Sequence, residues 1–168
     1  MVNVPIWVTK MVIPTIAAID VGTDAIRMVV GSVNPDRRID VLEDVREPVR
    51  LGQDVFTRGS VSEDTTERVI DAFQKFRRLI DKYGVEHVKA VATSATREAQ
   101  NSDTFIDCVA QATGIEIVAI GAEAEARLVH LAVTEHHKHT YYLLNATPLI
   151  GLSTSQKAIV ANVARHHR

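Results

Sequence analysis

Two apolar, β-rich runs, residues 15–20 and 25–33, are joined by the short tip Asp20-Val21-Gly22-Thr23-Asp24 in the stretch "AAIDVGTDAIRMVV". So few polar residues interrupt either run that both strands read as buried, which requires layers of structure on each side of the sheet they form. Asp and Gly are ordinary hairpin-turn residues, so a plain connection is one reading of the tip. The other is a turn built around a phosphate. A tight turn of this composition leaves backbone N–H groups facing one concavity, the Thr23 hydroxyl adds a donor, and Asp20 at the strand end suits a divalent cation held through water. The tip alone leaves both readings open.

The rest of the chain supplies the layers. "NPDR" marks a turn and residues 38–49 a third strand; "GQDVFTRG" reads as a loop. Ser62, followed by Glu63 and Asp64, opens a helix in which Val69, Ile70, Phe73, Phe76, Ile80 and Tyr83 recur at three- and four-residue spacing, and Gly84 stops it. "VKAVATSA" is a strand running into Thr93-Ser94. "NSDTFIDCVAQATG" is a short helix capped at Asn101 or Ser102 and stopped at Gly114. "IEIVAIG" is a strand and "AEAEARLVHLAV" a helix. The order β-β-β-α-β-α-β-α, with the first three strands as a meander, is that of a ribonuclease-H-like or actin-like α/β lobe with a mixed sheet.

Composition excludes several classes. At 168 residues, 46% apolar, the chain has the make-up of a soluble globular domain, and its net charge of −2 gives no general attraction for nucleic acid or membrane. Cys108 is the single cysteine, which rules out an internal disulfide or a thiolate-rich metal site and fits a reducing compartment. The opening residues are apolar but broken by Pro5, Lys10 and Pro14, so we read neither a signal peptide nor a membrane span and expect a cytoplasmic protein.

Two further segments carry chemistry. In "ATSATREAQN" a strand hands over to a helix at Thr93, Ser94, Thr96 and Arg97; helix N-termini attract anions and Arg97 offers a planar fork for phosphate. An ordinary cap with a solvent-facing arginine is the plainer alternative. In "AEAEARL", Glu123 and Glu125 stand two residues apart on a helix, so only one faces a cleft, where it would orient or deprotonate a water. An exposed charged helix face is the plainer alternative there, and Arg127 can pair with a carboxylate in either case.

Together "AAIDVGTDAIRMVV", "VRLGQDVFTRGSVS", "AVATSATREAQN" and "AEAEARLVHLAV", in that order and over residues 15–133, resemble the N-terminal lobe of the exopolyphosphatase and guanosine-pentaphosphate phosphatase family, in the actin-like ATPase superfamily. The resemblance implies a hydrolase that releases terminal phosphate from polyphosphate or guanosine pentaphosphate with magnesium or another divalent cation. It implies phosphate-binding residues at Asp20, Gly22, Thr23, Asp24, Thr93, Ser94 and Arg97, and a catalytic carboxylate at Glu125. The Arg97 segment argues against an actin-like sugar kinase.

The departures are equally informative. Asp24 and Ala25 stand where the family loop has Asn and Ser, removing one donor and adding a negative charge beside the anion. Ala124 interrupts the usual Glu-Glu pair. The family's second Gly-rich phosphate loop has no counterpart in this sequence. Residues 134–168 instead resemble part of the family's C-terminal helical HD-like domain, as though the middle had been lost, and residues 1–14 read as an extension. His136, His137 and His139 have helical spacing for a metal, but no His-Asp doublet accompanies them. We therefore expect solvent-facing or interface roles for these and for His166 and His167. The apolar residues after Tyr141 would need covering, by the lobe or by a second copy in a homodimer. A noncatalytic remnant that binds phosphate or a partner is the alternative to a hydrolase.

Overall fold

The computed structural model describes residues 14–34 and 39–134. Its elements are β1 (Thr15–Val21), β2 (Ala25–Val33), β3 (Ile39–Pro48), α1 (Leu51–Arg58), α2 (Glu63–Lys82), β4 (His87–Ala92), α3 (Ser94–Glu98), α4 (Ser102–Thr113), β5 (Ile117–Ala119) and α5 (Ala122–Thr134). One mixed five-stranded sheet has the order β3-β2-β1-β4-β5. The β1–β2 and β2–β3 pairs are antiparallel, and the β1–β4 and β4–β5 pairs are parallel.

Both hairpin strands are buried on two faces. Ala17, Ile19 and Val21 of β1 join Ile26, Met28 and Val30 of β2 in the larger core, beneath α2 and α4. Ile16, Ala18 and Val29 face the other way and pack with Val91 and with Leu128 of α5. The period-2 alternation of a strand therefore delivers apolar residues to both layers, and the runs read as continuous.

Helix α2 follows the sequence closely. Ser62 is its N-cap, accepting from the Thr65 N–H at 3.2 Å, and Val69, Phe73, Phe76 and Ile80 form the buried stripe. Gly84 adopts φ 58°, the left-handed turn that glycine tolerates without a Cβ clash. The segment read as a loop is instead helix α1. Its buried apolar residues Leu51 and Val55 are four apart, but Gly52, the exposed Phe56 and the single turn of apolar periodicity hide the helix. Gly59, at φ 76°, closes it with a 2.8 Å bond to the Val55 carbonyl.

Helices α1 and α2 are tied by one carboxylate. Asp54 accepts from the Ser62 backbone N–H at 3.1 Å and also from the Ser62 hydroxyl. The Ser62 hydroxyl bond, reinforced by Thr65, holds the Asp54 carboxyl down at about 2 from an ordinary 3.8. A depressed carboxyl contributes stability that is present above its unfolded value and lost as pH falls through its folded value. The wild type should therefore lose about 1 kcal/mol, after screening by solvent, between pH 3.8 and about 2. Asp54→Asn should lose that part of the acid dependence, as read from denaturant midpoints across the window.

Candidate functional site

Four strands end on one edge of the sheet. β3, β1, β4 and β5 run in the same direction, and in register Val21 lies beside Ala92 and Ala92 beside Ala119. The segments that follow these strands are therefore neighbours. They are Val49–Arg50 leading into α1, the tip Gly22–Asp24, the Thr93–Arg97 segment, and Ile120 leading into α5. A crevice outside the carboxyl ends of parallel strands is where open α/β sheets place their ligands.

The tip is clamped from one side. Gly22 N–H donates across the turn to the Ala25 carbonyl at 3.1 Å. The Thr23 carbonyl accepts from Gly52 N–H at 2.8 Å, and the Asp24 carbonyl accepts from Val49 and Arg50 N–H at 3.1 and 2.9 Å. In a trans peptide the C=O and N–H point opposite ways. With both carbonyls turned to α1, the N–H groups of Asp24 and Ala25 are turned away from it. Gly22 is buried, Thr23 half-buried and Asp24 exposed.

The second wall brings two distant motifs together. Arg97 Nη1 donates to the Ile120 carbonyl at 2.9 Å and meets Glu125 Oε2 at 3.5 Å. Glu123 turns outward and pairs instead with Arg127 at 2.7 Å. Of the two glutamates, Glu125 shares a helix face with buried Leu128 and is the one directed to the Arg97 segment. Thr93 and Ser94 are half-buried. Thr93 N–H reaches the Val21 carbonyl at 3.4 Å, a long contact that sets the Thr93–Arg97 segment beside the root of the tip, and its carbonyl accepts from Arg97 N–H at 3.1 Å. Asn101 does not cap α4 with its side chain. It bonds both the N–H and the carbonyl of Val61 at 2.9 and 2.8 Å, latching the end of this wall to the start of α2.

Asp20 is 8% exposed and lies between Arg27 and Val91 in the ladder, on the face that α5 covers. Among the described residues no group of three His, Cys, Asp or Glu side chains is placed to share a metal. A single carboxylate still fits magnesium, which keeps most of its waters and takes substrate phosphate as ligand. The histidines His136, His137, His139, His166 and His167, and the whole fragment after Thr134, lie outside the described residues. So do residues 1–13 of the extension.

Comparison with known proteins shows the family. The sequence model of the Ppx/GppA phosphatase family matches residues 28–146, well over half the chain. This chain belongs to the Ppx/GppA phosphatase family. It is similar to the Aquifex aeolicus Ppx/GppA family member, with a TM-score of 0.68 and 33% identity over 72% of this chain and 39% of that one. Among curated proteins it is 36% identical to a bifunctional 3-dehydroquinate synthase/phosphatase of Fusobacterium nucleatum, over 66% of this chain and 18% of that protein. It is 26% identical to exopolyphosphatase 1 of Mycobacterium tuberculosis, over 70% and 34%. It is 29% identical to a guanosine-5'-triphosphate,3'-diphosphate pyrophosphatase of Photobacterium profundum, over 71% and 24%. The chain thus spans at most about a third of the length of these curated relatives.

Sequence reasoning passed over Gly52, although it stands inside a quoted motif. A Cβ on Gly52 would lie 2.1 Å from Thr23 Cγ2, too close for any real contact. Thr is stiff at χ1, so α1 rather than the methyl must move, stretching the clamp on the tip. Gly52→Ala gains about 1 kcal/mol of helix propensity but meets about 1–3 kcal/mol of overpacking, so a net loss is expected. Thr23→Ser removes the methyl and keeps the hydroxyl. The Thr23→Ser/Gly52→Ala pair should therefore recover the melting temperature that Gly52→Ala alone loses, and equal losses in the single and double variants would show that the contact is not the cause.

Proposed function

We propose that this Ppx/GppA chain carries the phosphate-gripping half of a phosphoanhydride hydrolase acting on polyphosphate or guanosine pentaphosphate. What supports the reading is the meeting of Arg97 and Glu125, a cation and a carboxylate from motifs far apart in sequence, on the wall whose Thr93 reaches the root of the tip. The tip would hold a terminal phosphate through the N–H groups turned away from α1 and through the Thr23 hydroxyl, with Ser94 and Thr93 completing the donors. Arg97 would leave its loose pair with Glu125 to neutralise charge on the phosphoryl oxygens, freeing the carboxylate to orient or deprotonate the attacking water. Asp20 would hold a divalent cation, magnesium by type, through water; when bound, such a cation neutralises charge on the phosphate oxygens.

Catalysis of this kind rests on positioning and charge stabilisation in a partly dry cleft. The 168 residues contain no second glycine-rich loop to close it, so we expect weak turnover from the chain alone. A homodimer that closes the cleft from a second copy would restore it. A second reading is a noncatalytic phosphate-binding protein. It is favoured by the commitment of Arg97 to Glu125 and to the Ile120 carbonyl. Among the described residues no helix is long and apolar enough to cross a membrane, which is compatible with the cytoplasmic placement we propose.

Two measurements test this. Orthophosphate at a hundred times its dissociation constant should stabilise the fold by about 2.7 kcal/mol. Arg97→Ala should abolish most of that shift, and it should itself cost the unliganded protein about 1.5–3 kcal/mol through the lost bond to the Ile120 carbonyl, with only about 0–1 kcal/mol more from the half-exposed pair with Glu125. An unchanged shift would put the anion elsewhere. Magnesium-dependent phosphate release from polyphosphate should be very low, since loss of one positioned donor already costs about a hundredfold. Robust release that Glu125→Gln abolishes would overturn the expectation of impairment, and release unaffected by Glu125→Gln would remove that residue from the chemistry.

A further inference from the structure

A second basic corner lies on the same edge, beyond β2 from the Arg97 wall. Where β3 ends and α1 begins, an open cleft of about 460 Å³ is lined by Asp24, Arg46, Pro48, Arg50 and Gln53. Asp24 belongs to the tip, so this cleft and the proposed phosphate grip share a wall.

The charges in the corner are unbalanced. Arg46 faces Arg27 directly across the β2–β3 ladder, a placement in which like charges repel. Arg27 is neutralised: its Nε donates to Asp44 at 2.7 Å and its Nη2 engages the second oxygen, and the Asp44 hydrogen bonds raise its pKa. Asp44 is thereby consumed, and neither Arg46 nor Arg50 has an ion pair among the described residues. With Asp24 as the one carboxylate in the lining, the cleft holds two guanidinium groups against one negative charge. Guanidinium groups facing an open concavity are suited to phosphate oxygens, which they bind in a planar, two-bond fork.

Spacing sets what the two sites could share. The tip follows β1, the Arg97 segment follows β4, and the Arg46–Arg50 corner lies at the end of β3 where α1 begins. Strands are about 4.8 Å apart, so β3 and β4 stand about 14 Å from one another. One orthophosphate cannot reach from one wall to the other; a linear chain of several phosphates can. We propose that Arg46 and Arg50 form a subsite for the continuing phosphates of a linear polyphosphate whose terminal phosphate sits at the tip, so that this corner selects chain length. The proposal rests on the phosphate-gripping role assigned above to the tip and Arg97.

Calorimetric binding of orthophosphate and of a long linear polyphosphate to the full chain separates the two ideas. Arg50 is the one non-glycine residue with positive φ among those described, at 53°, so Arg50→Gly removes the charge while relieving the backbone and should not lower the melting temperature. Arg46→Gln and Arg50→Gly should each weaken polyphosphate binding about tenfold and leave orthophosphate binding unchanged, whereas Arg97→Ala should weaken both. Arg78→Gln, on the exposed side of α2, controls for overall charge and should alter neither. Polyphosphate affinity unchanged in the Arg46→Gln/Arg50→Gly pair, with Arg97→Ala still effective, would overturn the subsite and leave the grip standing. An equal loss with Arg78→Gln would overturn it too, by showing general electrostatic attraction. Failure of wild type to bind either probe would remove the grip and the subsite together.

Discussion

Three backbone hydrogen bonds, from Val49, Arg50 and Gly52 to the carbonyls of Asp24 and Thr23, seat the start of α1 against the tip of the first hairpin. Each is worth only about 0.5–1.5 kcal/mol net, but together they fix the direction of two peptide planes. Because the peptides are trans, fixing the carbonyls fixes the N–H groups on the opposite side. The orientation of the proposed anion cradle is therefore set by contacts on the opposite side of the peptides that form it. The same helix passes the constraint onward: Asp54 grips the cap of α2, and α2 carries Phe73 and Phe76 into the larger core.

The layered α/β lobe was legible because its signals are strong and local. The two-sided strands show as continuous apolar runs, and α2 shows as a long stripe with a serine cap and a glycine stop. Helix α1 was not legible, since eight residues with a glycine at the second position carry too little periodicity to stand out from a loop. For the site, helical spacing said only that one of Glu123 and Glu125 would face inward, and the family resemblance pointed to Glu125. Leu128 decides it, because its burial orients α5 and takes Glu125 with it. The meeting of Arg97 with Glu125 depends on the parallel pairing of β4 with β5, a non-local fact that no short motif encodes.

The distribution of charge shows why a global balance is a poor guide to a local partner. A net charge of −2 argues against any general affinity for anions. Yet one cleft at the strand-end edge sets Arg46 and Arg50 against Asp24 alone, while Arg97 nearby faces Glu125 and other acidic residues sit in helix-surface pairs such as Arg77 with Asp81 and Arg127 with Glu123. Charges that pair within one helix leave little field beyond it, whereas two arginines without an ion pair lining one cleft add.

The parallel contact between β1 and β4, which sets Ile16 beside His87, has a kinetic side as well. A hairpin such as β1–β2 closes in about 1–10 μs from neighbouring residues alone, so the tip and its turn exist early in folding. The Arg97 wall must wait until β4 returns from the far end of α2 and docks on β1, a non-local closure that carries a larger entropic barrier. The difference in closure length predicts that the two walls of the cleft form at different times. The order of assembly leaves the hairpin exposing a free β1 edge until β4 arrives, and it is in that interval that strand-to-strand mispairing between two chains would compete with completion of the site.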